Sequence, residues 1–176
     1  MLKTLHMLCI VLCLVFSSFV FSQQNDPIMH GPFKTNLYND GELYFEQTSN
    51  FEYPINFVLK YQCDREIKKY IIDRYSHNGG VPEIESLFFY KINEVPYVFT
   101  IVLWNINHRG IGTYGQYYQV YGYKKNNGNI LIKDETIEYD NNLSGIEGSD
   151  NGEESHFKYK TAAEVKKYIK ETYNKK

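Results

Sequence analysis

Apolar and polar residues alternate along the middle of the chain, which is the period of a β-strand with one buried face. The stretch from Ile84 to Ile92 has this two-residue period, with apolar character on both sides. The stretch from Tyr97 to Ile106 is apolar on both faces, which predicts a central strand covered on two sides. The other predicted strands are Leu43 to Gln47, Tyr53 to Tyr61 with Pro54 at its start, Gln116 to Lys125, and Ile130 to Tyr139 after the hairpin signal Asn126–Asn129.

Two segments carry apolar residues at helical spacing instead. The first is Asp64 to Tyr75, where Ile67, Tyr70, Ile71 and Arg74 would share one face. The second begins near the C-terminus, where Thr161 and Glu164 fit a capping box ahead of the stripe Val165, Tyr168, Ile169 and Thr172. Because the strand connections are short, the sequence predicts an α+β fold, an antiparallel β-meander sheet with one or two packed helices, including a C-terminal helix.

The N-terminal segment has the pattern of an export signal. Residues Met1 to Ser22 contain the apolar run Leu8 to Val15, which is too short to span a bilayer. We expect cleavage before Gln23, which leaves a single α+β domain of residues 23–176 in the periplasm, without stable membrane insertion. Within this domain the polar stretch from Gln23 to Asn39 predicts an extended lead-in.

Charge and cysteine content narrow the function classes for this mature domain. Removal of Lys3 with the signal leaves 18 basic against 21 acidic side chains, a net charge of about −3. That balance argues against a generic binder of nucleic acid or of anionic membranes, because both ligands require basic excess. Cys63 is the one cysteine that remains, so packing without an internal disulfide must stabilise the exported domain.

A glycine-rich segment follows the predicted central strand. Gly110, Gly112 and Gly115 match G-x-G-x-x-G, but the residues after them have strand character. A dinucleotide site requires a helix there, because the helix N-terminus holds the pyrophosphate. The segment is therefore interpreted as a close-turning loop between two strands, and we expect no cofactor.

Side chains suited to recognition surround these glycines. Two interpretations stay open for the 107–118 segment. In one, Trp104 and Tyr118 belong to the core and Arg109 pairs with a nearby acid. In the other, the segment is a recognition loop, since Arg and Tyr offer planar surfaces at low entropic cost. Its candidate partner-binding residues are Asn107, His108, Arg109, Tyr114 and Tyr117.

The second candidate segment is acidic. No Lys or Arg lies between Lys133 and Lys158. Such a run is typically a solvated, mobile loop, and it also serves to steer a basic partner. Asp140 opens a loop with calcium-like spacing, but position twelve is Asn151 rather than glutamate, so no metal site is predicted. The candidate contact residues are Glu147, Asp150, Glu153 and Glu154.

Signs of catalysis are weak in this sequence. The mature histidines lack metal-ligand spacing, and no G-x-S-x-G motif occurs. Cys63 lies at a predicted strand-to-helix boundary, where an incidental thiol is the favoured interpretation. We therefore predict that the protein is not an enzyme and has no catalytic residues.

The run from Trp104 to Gly115, followed by Tyr117 to Tyr121, resembles a segment of small exported proteins of Gram-negative bacteria. The class it resembles is the periplasmic immunity proteins that neutralise interbacterial, type VI-like toxins. The resemblance implies a stoichiometric inhibitor that blocks a protein toxin or envelope enzyme. Two alternatives remain: a glycan or small-ligand binder with Tyr117, Tyr121 and Tyr123 as a stacking face, and a hydrolase that uses His108.

Overall fold

A computed structural model describes residues 27–174, so the predicted signal segment lies outside the described residues. Most of this part of the chain is antiparallel β-structure, and two α-helices follow the long strands. The strands are β1 (Ile28–Thr35), β2 (Gly41–Gln47), β3 (Ile55–Cys63), β4 (Glu66–Tyr75), β5 (Pro82–Ile92), β6 (Val95–His108), β7 (Thr113–Lys125), β8 (Leu131–Lys133), β9 (Ser144–Asp150) and β10 (Glu153–Ser155), and the helices are α1 (Glu135–Glu138) and α2 (Ala162–Thr172). The predicted α+β fold with an antiparallel meander and a C-terminal helix is confirmed.

The strands divide into two sheets, which the sequence pattern did not predict. Sheet 1 has the order β1-β2-β3-β4, and sheet 2 has the order β10-β9-β7-β6-β5 with β8 paired to β7. Strands β8 and β9 pair with successive parts of the same β7 edge, and α1 lies between them in sequence. In both sheets all pairs are antiparallel, and most neighbouring strands are also consecutive in the chain. The strands therefore form a meander.

The helix predicted over Asp64 to Tyr75 is wrong, because this segment is the edge strand β4. Asp64 and Arg65 have φ values of 50° and 69° and form the two-residue turn of the β3–β4 hairpin. Positive φ at both central residues gives a turn whose twist matches antiparallel strands. The spacing of Ile67 and Tyr70 fits a helix, but strand pairing to β3 determines the structure.

Two other segments differ from their predictions. The expected extended lead-in contains β1, which pairs with β2 along Ile28–Thr35. The strand predicted over Ile130 to Tyr139 is only three residues long, because Asp134 caps helix α1 by accepting a hydrogen bond from the Thr136 N–H. An aspartate at this position favours a helix start over continued strand.

Strand β6 lies at the centre of sheet 2, and its two faces belong to different hydrophobic cores. Val98 and Val102 face sheet 1, whereas Phe99 and Ile101 face α2. All four side chains have no exposed surface. The predicted central strand covered on both sides is therefore confirmed, and the fold has three layers: sheet 1, sheet 2 and α2.

A buried polar network joins the two sheets. The Tyr123 hydroxyl donates to Asp73 at 2.7 Å and lies 2.8 Å from the Tyr75 hydroxyl, which also contacts Thr100 at 3.0 Å. Lys133 pairs with Asp73 at 3.0 Å. Because buried polar groups are costly when unpaired, this network fixes how the sheets pack on each other.

The C-terminal helix begins with the predicted capping box. Thr161 accepts from the Glu164 N–H, and the Glu164 carboxylate accepts from the Thr161 N–H. Val165 and Ile169 are fully buried against sheet 2, as their stripe predicts. Within residues 27–174, neither helix has the length and apolar character needed to cross a membrane.

Candidate functional site

The two predicted contact segments lie next to each other at one end of sheet 2. Strand β7 pairs with β6 on one side and with β9 on the other, so Tyr114 stands between Asn107 and Ser149. Strand β10 then continues the sheet beyond β9. Two hairpin tips separated by about forty residues in sequence therefore form one surface, which we call the tip surface and define as residues 107–114 and 150–154.

The tip of the β6–β7 hairpin is a short 3-10 turn over Arg109–Ile111. Gly112 ends the turn with a φ of 73°, which is the left-handed region that favours glycine. The G-x-G-x-x-G match covers this turn and the first residues of β7, so a strand rather than a helix follows the glycines, as predicted. The expected hairpin loop is therefore small and has a defined backbone.

Arg109 lies over an aromatic ring rather than beside an acid. Its guanidinium carbon is 4.7 Å from the centre of the Tyr114 ring, and its Nε donates to the Asn107 side chain at 3.1 Å. In the part of the chain that the structure describes, Arg109 forms no ion pair, so the predicted pairing with an acid is wrong. Trp104 and Tyr118 are core residues, as that same interpretation expected. Arg109 and Tyr114 thus present a preformed planar pair to solvent.

The acidic segment is ordered by strand pairing rather than being a mobile loop. Residues Ser144–Asp150 pair with β7, and Glu153–Ser155 pair with β9. Asn151 and Gly152 connect these strands with φ values of 52° and 86°. An Asn-Gly pair is a strong signal for a two-residue hairpin. This pair is therefore the sequence feature that could have identified the turn. The segment is therefore a paired hairpin rather than the predicted mobile loop, and the glutamates of β10 are exposed to solvent.

Direct hydrogen bonds hold the two tips together. The Gly112 carbonyl accepts from the Gly152 N–H at 3.0 Å and from the Ser149 hydroxyl at 2.7 Å. The Thr113 hydroxyl accepts from the Asn151 N–H at 3.0 Å and donates to Asp150 at 3.3 Å. These contacts fix the relative position of the tips before any partner arrives.

The four predicted acidic contact residues have different surroundings. Glu147 lies farther from the tip and anchors the segment that leads to α2, since it accepts from the Phe157 N–H at 3.0 Å and pairs with Lys160 at 3.1 Å. The Lys160 ammonium lowers the pKa of Glu147, with further help from a hydrogen bond from His156. The Glu154 carboxylate pairs with His156 at 3.2 Å, and its side chain is 80% exposed. Glu147 is thus a positioning residue, whereas Asp150, Glu153 and Glu154 belong to the tip surface.

Polar side chains also lie on sheet 2 outside the part that α2 covers. On the edge strand β5, Glu83 accepts from the Asn105 amide at 2.6 Å, and Glu85 is exposed. Asn107 and Tyr114 follow Asn105 toward the tips. Sequence reasoning missed Glu83 and Glu85, because only the strand order places β5 on the face that holds the tips.

The three tyrosines proposed as a stacking face point toward sheet 1. Tyr117 packs against Trp104 with ring centres 5.8 Å apart, and Tyr121 packs against Tyr75 at 5.4 Å. Tyr123 has no exposed surface. The prediction that they point in one direction is confirmed. They pack into the core between the sheets, however, so this packing fits neither a stacking face nor Tyr117 as a contact residue of the tip surface.

His108 and Cys63 were the other residues considered for a chemical role. His108 is exposed with its ring against Gly79, and Cys63 ends β3 at a hairpin turn rather than at a helix start. Within residues 27–174 no group of three His, Cys, Asp or Glu side chains is arranged to hold a metal.

Asp140, the first residue of the calcium-like spacing, is occupied by other contacts. It accepts hydrogen bonds from the Tyr168 and Tyr173 hydroxyls at 2.7 and 2.8 Å and from the Asn142 N–H at 2.9 Å. Burial raises the pKa of Asp140, but these hydrogen bonds outweigh it and the pKa is lowered overall. The carboxylate thus ties α2 to the turn before β9.

Comparisons with protein-family models, with curated proteins and with solved structures find no match. The tip surface is therefore the feature of this chain that bears most on its function.

Proposed function

We propose that this protein is a periplasmic immunity-type inhibitor, which binds an envelope-acting protein toxin in a stoichiometric complex. One observation carries the proposal: two segments with recognition chemistry form a single preorganised surface with exposed side chains. Arg109 stacks on Tyr114 and donates to Asn107, and Glu153 and Glu154 lie on an exposed hairpin. A surface that is ordered before binding loses less conformational entropy in the complex.

The charge of this surface defines the partner's chemistry. Asp150, Glu153 and Glu154 at the tips outnumber the single guanidinium of Arg109. Complementary charge raises the rate of encounter and disfavours partners of the same sign. We therefore expect a protein with a basic cleft, and the same carboxylates repel nucleic acid.

Inhibition would follow from occupancy alone. The two hairpin tips lie at the end of sheet 2 and are hydrogen-bonded to each other. This arrangement suits insertion into a substrate cleft. The protein then supplies no catalytic group, and the toxin is blocked as long as the complex persists. Such a mechanism requires tight binding, and its affinity is set largely by the dissociation rate.

Export is the second part of this proposal. If residues Met1 to Ser22 are a signal peptide, the protein recovered from the envelope of a Gram-negative bacterium begins at Gln23. N-terminal sequencing of the exported full-chain product tests this directly. Recovery of a chain that begins at Met1 in the cytosolic fraction would contradict the localisation and leave binding to be tested separately.

The binding experiment uses the full chain with a C-terminal affinity tag and an envelope extract of its host. We expect retention of one protein in a stoichiometric complex that weakens as salt rises, and loss of its activity in the complex. The double variant Arg109→Ala/Tyr114→Ala should weaken that complex at least about 30-fold, because buried aromatic and arginine anchors dominate interfaces. Saturable binding of a muropeptide or sugar without any protein partner would contradict the proposal.

A further inference from the structure

An exposed apolar side chain occupies the outermost position of the tip surface. Ile111 is 66% exposed at the end of the 3-10 turn, between two glycines. A Cβ atom placed on Gly110 would meet nothing within 4 Å, so the space beside Ile111 is open. Sequence reasoning did not select Ile111, because isoleucine between glycines carries no recognition pattern.

The backbone around Ile111 is held rigidly in spite of this exposure. The Gly112 N–H donates to the Arg109 carbonyl at 3.1 Å and closes the turn. The Gly112 carbonyl in turn receives hydrogen bonds from Ser149 and Gly152 of the neighbouring hairpin. The fold thus fixes an isoleucine in water, where its apolar surface is unfavourably hydrated.

Charged residues of both hairpins belong to the same tip surface as Ile111. Arg109 is two residues away and stacked on Tyr114. Asp150 and Glu153 face each other on the adjoining hairpin, whose tip is bonded to Gly112. An apolar centre with a charged rim is the usual composition of a protein–protein interface, where the rim excludes water from the anchor.

We propose that Ile111 is the apolar anchor of the tip surface and fills an apolar pocket inside the basic cleft of the partner protein. This inference rests on the proposed function and extends it, since it specifies a pocket of isoleucine size flanked by basic groups. The predominance of carboxylates on the tip surface favours a basic protein cleft over an anionic lipid surface.

The chain offers a matched control on another surface. Ile67, at the start of edge strand β4, is 72% exposed and belongs to sheet 1 rather than to the tip surface. Substitution of either isoleucine removes a similar exposed apolar area. A difference between the two variants therefore reports on location and not on general surface hydrophobicity.

The test has two steps, both with the full exported chain. First, p-benzoylphenylalanine is introduced in place of Gly110, which adjoins Ile111 and has open space at its Cβ position, or in place of Ile67, and envelopes are irradiated. We expect one protein adduct from position 110 and none from position 67. Equal adducts at both positions, or an adduct only to lipid, would overturn the anchor assignment.

Second, the protein retained by the wild-type chain is purified and titrated against Ile111→Asp and Ile67→Asp. The first variant should weaken binding at least about 30-fold and the second less than about twofold, with unchanged thermal unfolding in both. Wild-type affinity of Ile111→Asp, together with loss of binding by Arg109→Ala/Tyr114→Ala, would overturn the anchor while the proposed function stands. Failure of the wild-type chain to retain any protein would overturn both.

Discussion

The backbone N–H of Gly152 donates a hydrogen bond of 3.0 Å to the carbonyl oxygen of Gly112. This bond joins the tip of the β9–β10 hairpin to the tip of the β6–β7 hairpin. A Cβ atom on Gly112 would lie 2.6 Å from the Gly152 nitrogen, so the approach requires glycine. The recognition segment around Arg109 and the acidic segment meet at these two glycines.

Substitution of Gly112 should separate the tips. Gly112→Ala introduces both a backbone clash with Gly152 and an L side chain at a φ of 73°. We expect a loss of about 1–3 kcal/mol in the free energy of unfolding and weaker binding of the partner. Gly110→Ala is the matched control, because its Cβ would meet nothing within 4 Å. Chemical denaturation of both variants checks the prediction, and equal stability would contradict the proposed joint.

Neutralising the exposed carboxylates should slow association with the partner. Glu153→Gln/Glu154→Gln removes two charges from the tip surface without removing an ion pair to Lys or Arg. At low salt we expect the association rate to fall roughly threefold to tenfold, with a smaller effect at high salt. Surface plasmon resonance over a salt series measures this.

Glu66→Gln/Glu171→Gln is the control for that experiment. Both residues are exposed, Glu66 at the β3–β4 hairpin and Glu171 in the last turn of α2, and neither forms an ion pair within residues 27–174. The net charge changes equally in the two double variants. If both slow association to the same extent, net charge rather than the tip surface steers the partner.

The hydroxyl of Tyr123 should contribute to the packing of the two sheets. Tyr123→Phe removes a buried donor to Asp73 and a contact to Tyr75. We expect a loss of about 1–3 kcal/mol in the free energy of unfolding, since the Asp73 Oδ2 atom loses the hydroxyl donor and keeps the Lys133 ammonium, while Oδ1 still accepts from the Arg74 N–H. Tyr90→Phe is the control, because the Tyr90 hydroxyl bonds to no other group within residues 27–174. Similar urea midpoints for the two variants would remove the network from the stability of the fold.

Stability should decrease at alkaline pH through the buried tyrosines. Burial, with a hydrogen bond to Asp134, raises the pKa of Tyr97 to about 12, from an ordinary value of 10.0. The unfolded chain therefore loses this proton first, so the stabilisation is complete below pH 10.0 and is lost as the pH rises to about 12.

Burial raises the pKa values of Tyr75 and Tyr123 further in the same direction. Urea denaturation between neutral and alkaline pH, followed by tyrosinate absorbance, should show unfolding and ionisation together. Tyr97→Phe should make the decrease in stability shallower. Tyrosine ionisation that reaches completion in the folded protein near the ordinary pKa would contradict this prediction.

The sequence predicts those elements whose pattern is local. The run around Val98 and Val102 is apolar on both faces, and this pattern predicts a central strand that is covered on both sides. Thr161 and Glu164 identify the helix start because the capping box closes within one turn. The helix predicted from Ile67 and Tyr70 was wrong because a short apolar spacing fits two periods, and only pairing with β3 distinguishes them.

The candidate site depends on contacts that are not local. The residue types of Arg109, Tyr114 and Glu153 indicated two recognition segments, but nothing in their spacing indicates that the segments meet. That contact follows from β9 pairing with β7, which depends on the length of β8 and on the turn at α1. Asn151-Gly152 is the one local signal that identifies the second hairpin.

The most direct test of the tip surface as a protein-binding site compares three full-chain baits in one envelope extract. These are the wild-type chain, Arg109→Ala/Tyr114→Ala and Ile67→Asp, each followed by quantitative mass spectrometry of the retained proteins. We predict that the wild-type chain and Ile67→Asp retain the same single protein in stoichiometric amount and that the double variant does not. Retention of that protein by all three baits, or by none, would contradict the proposed binding site.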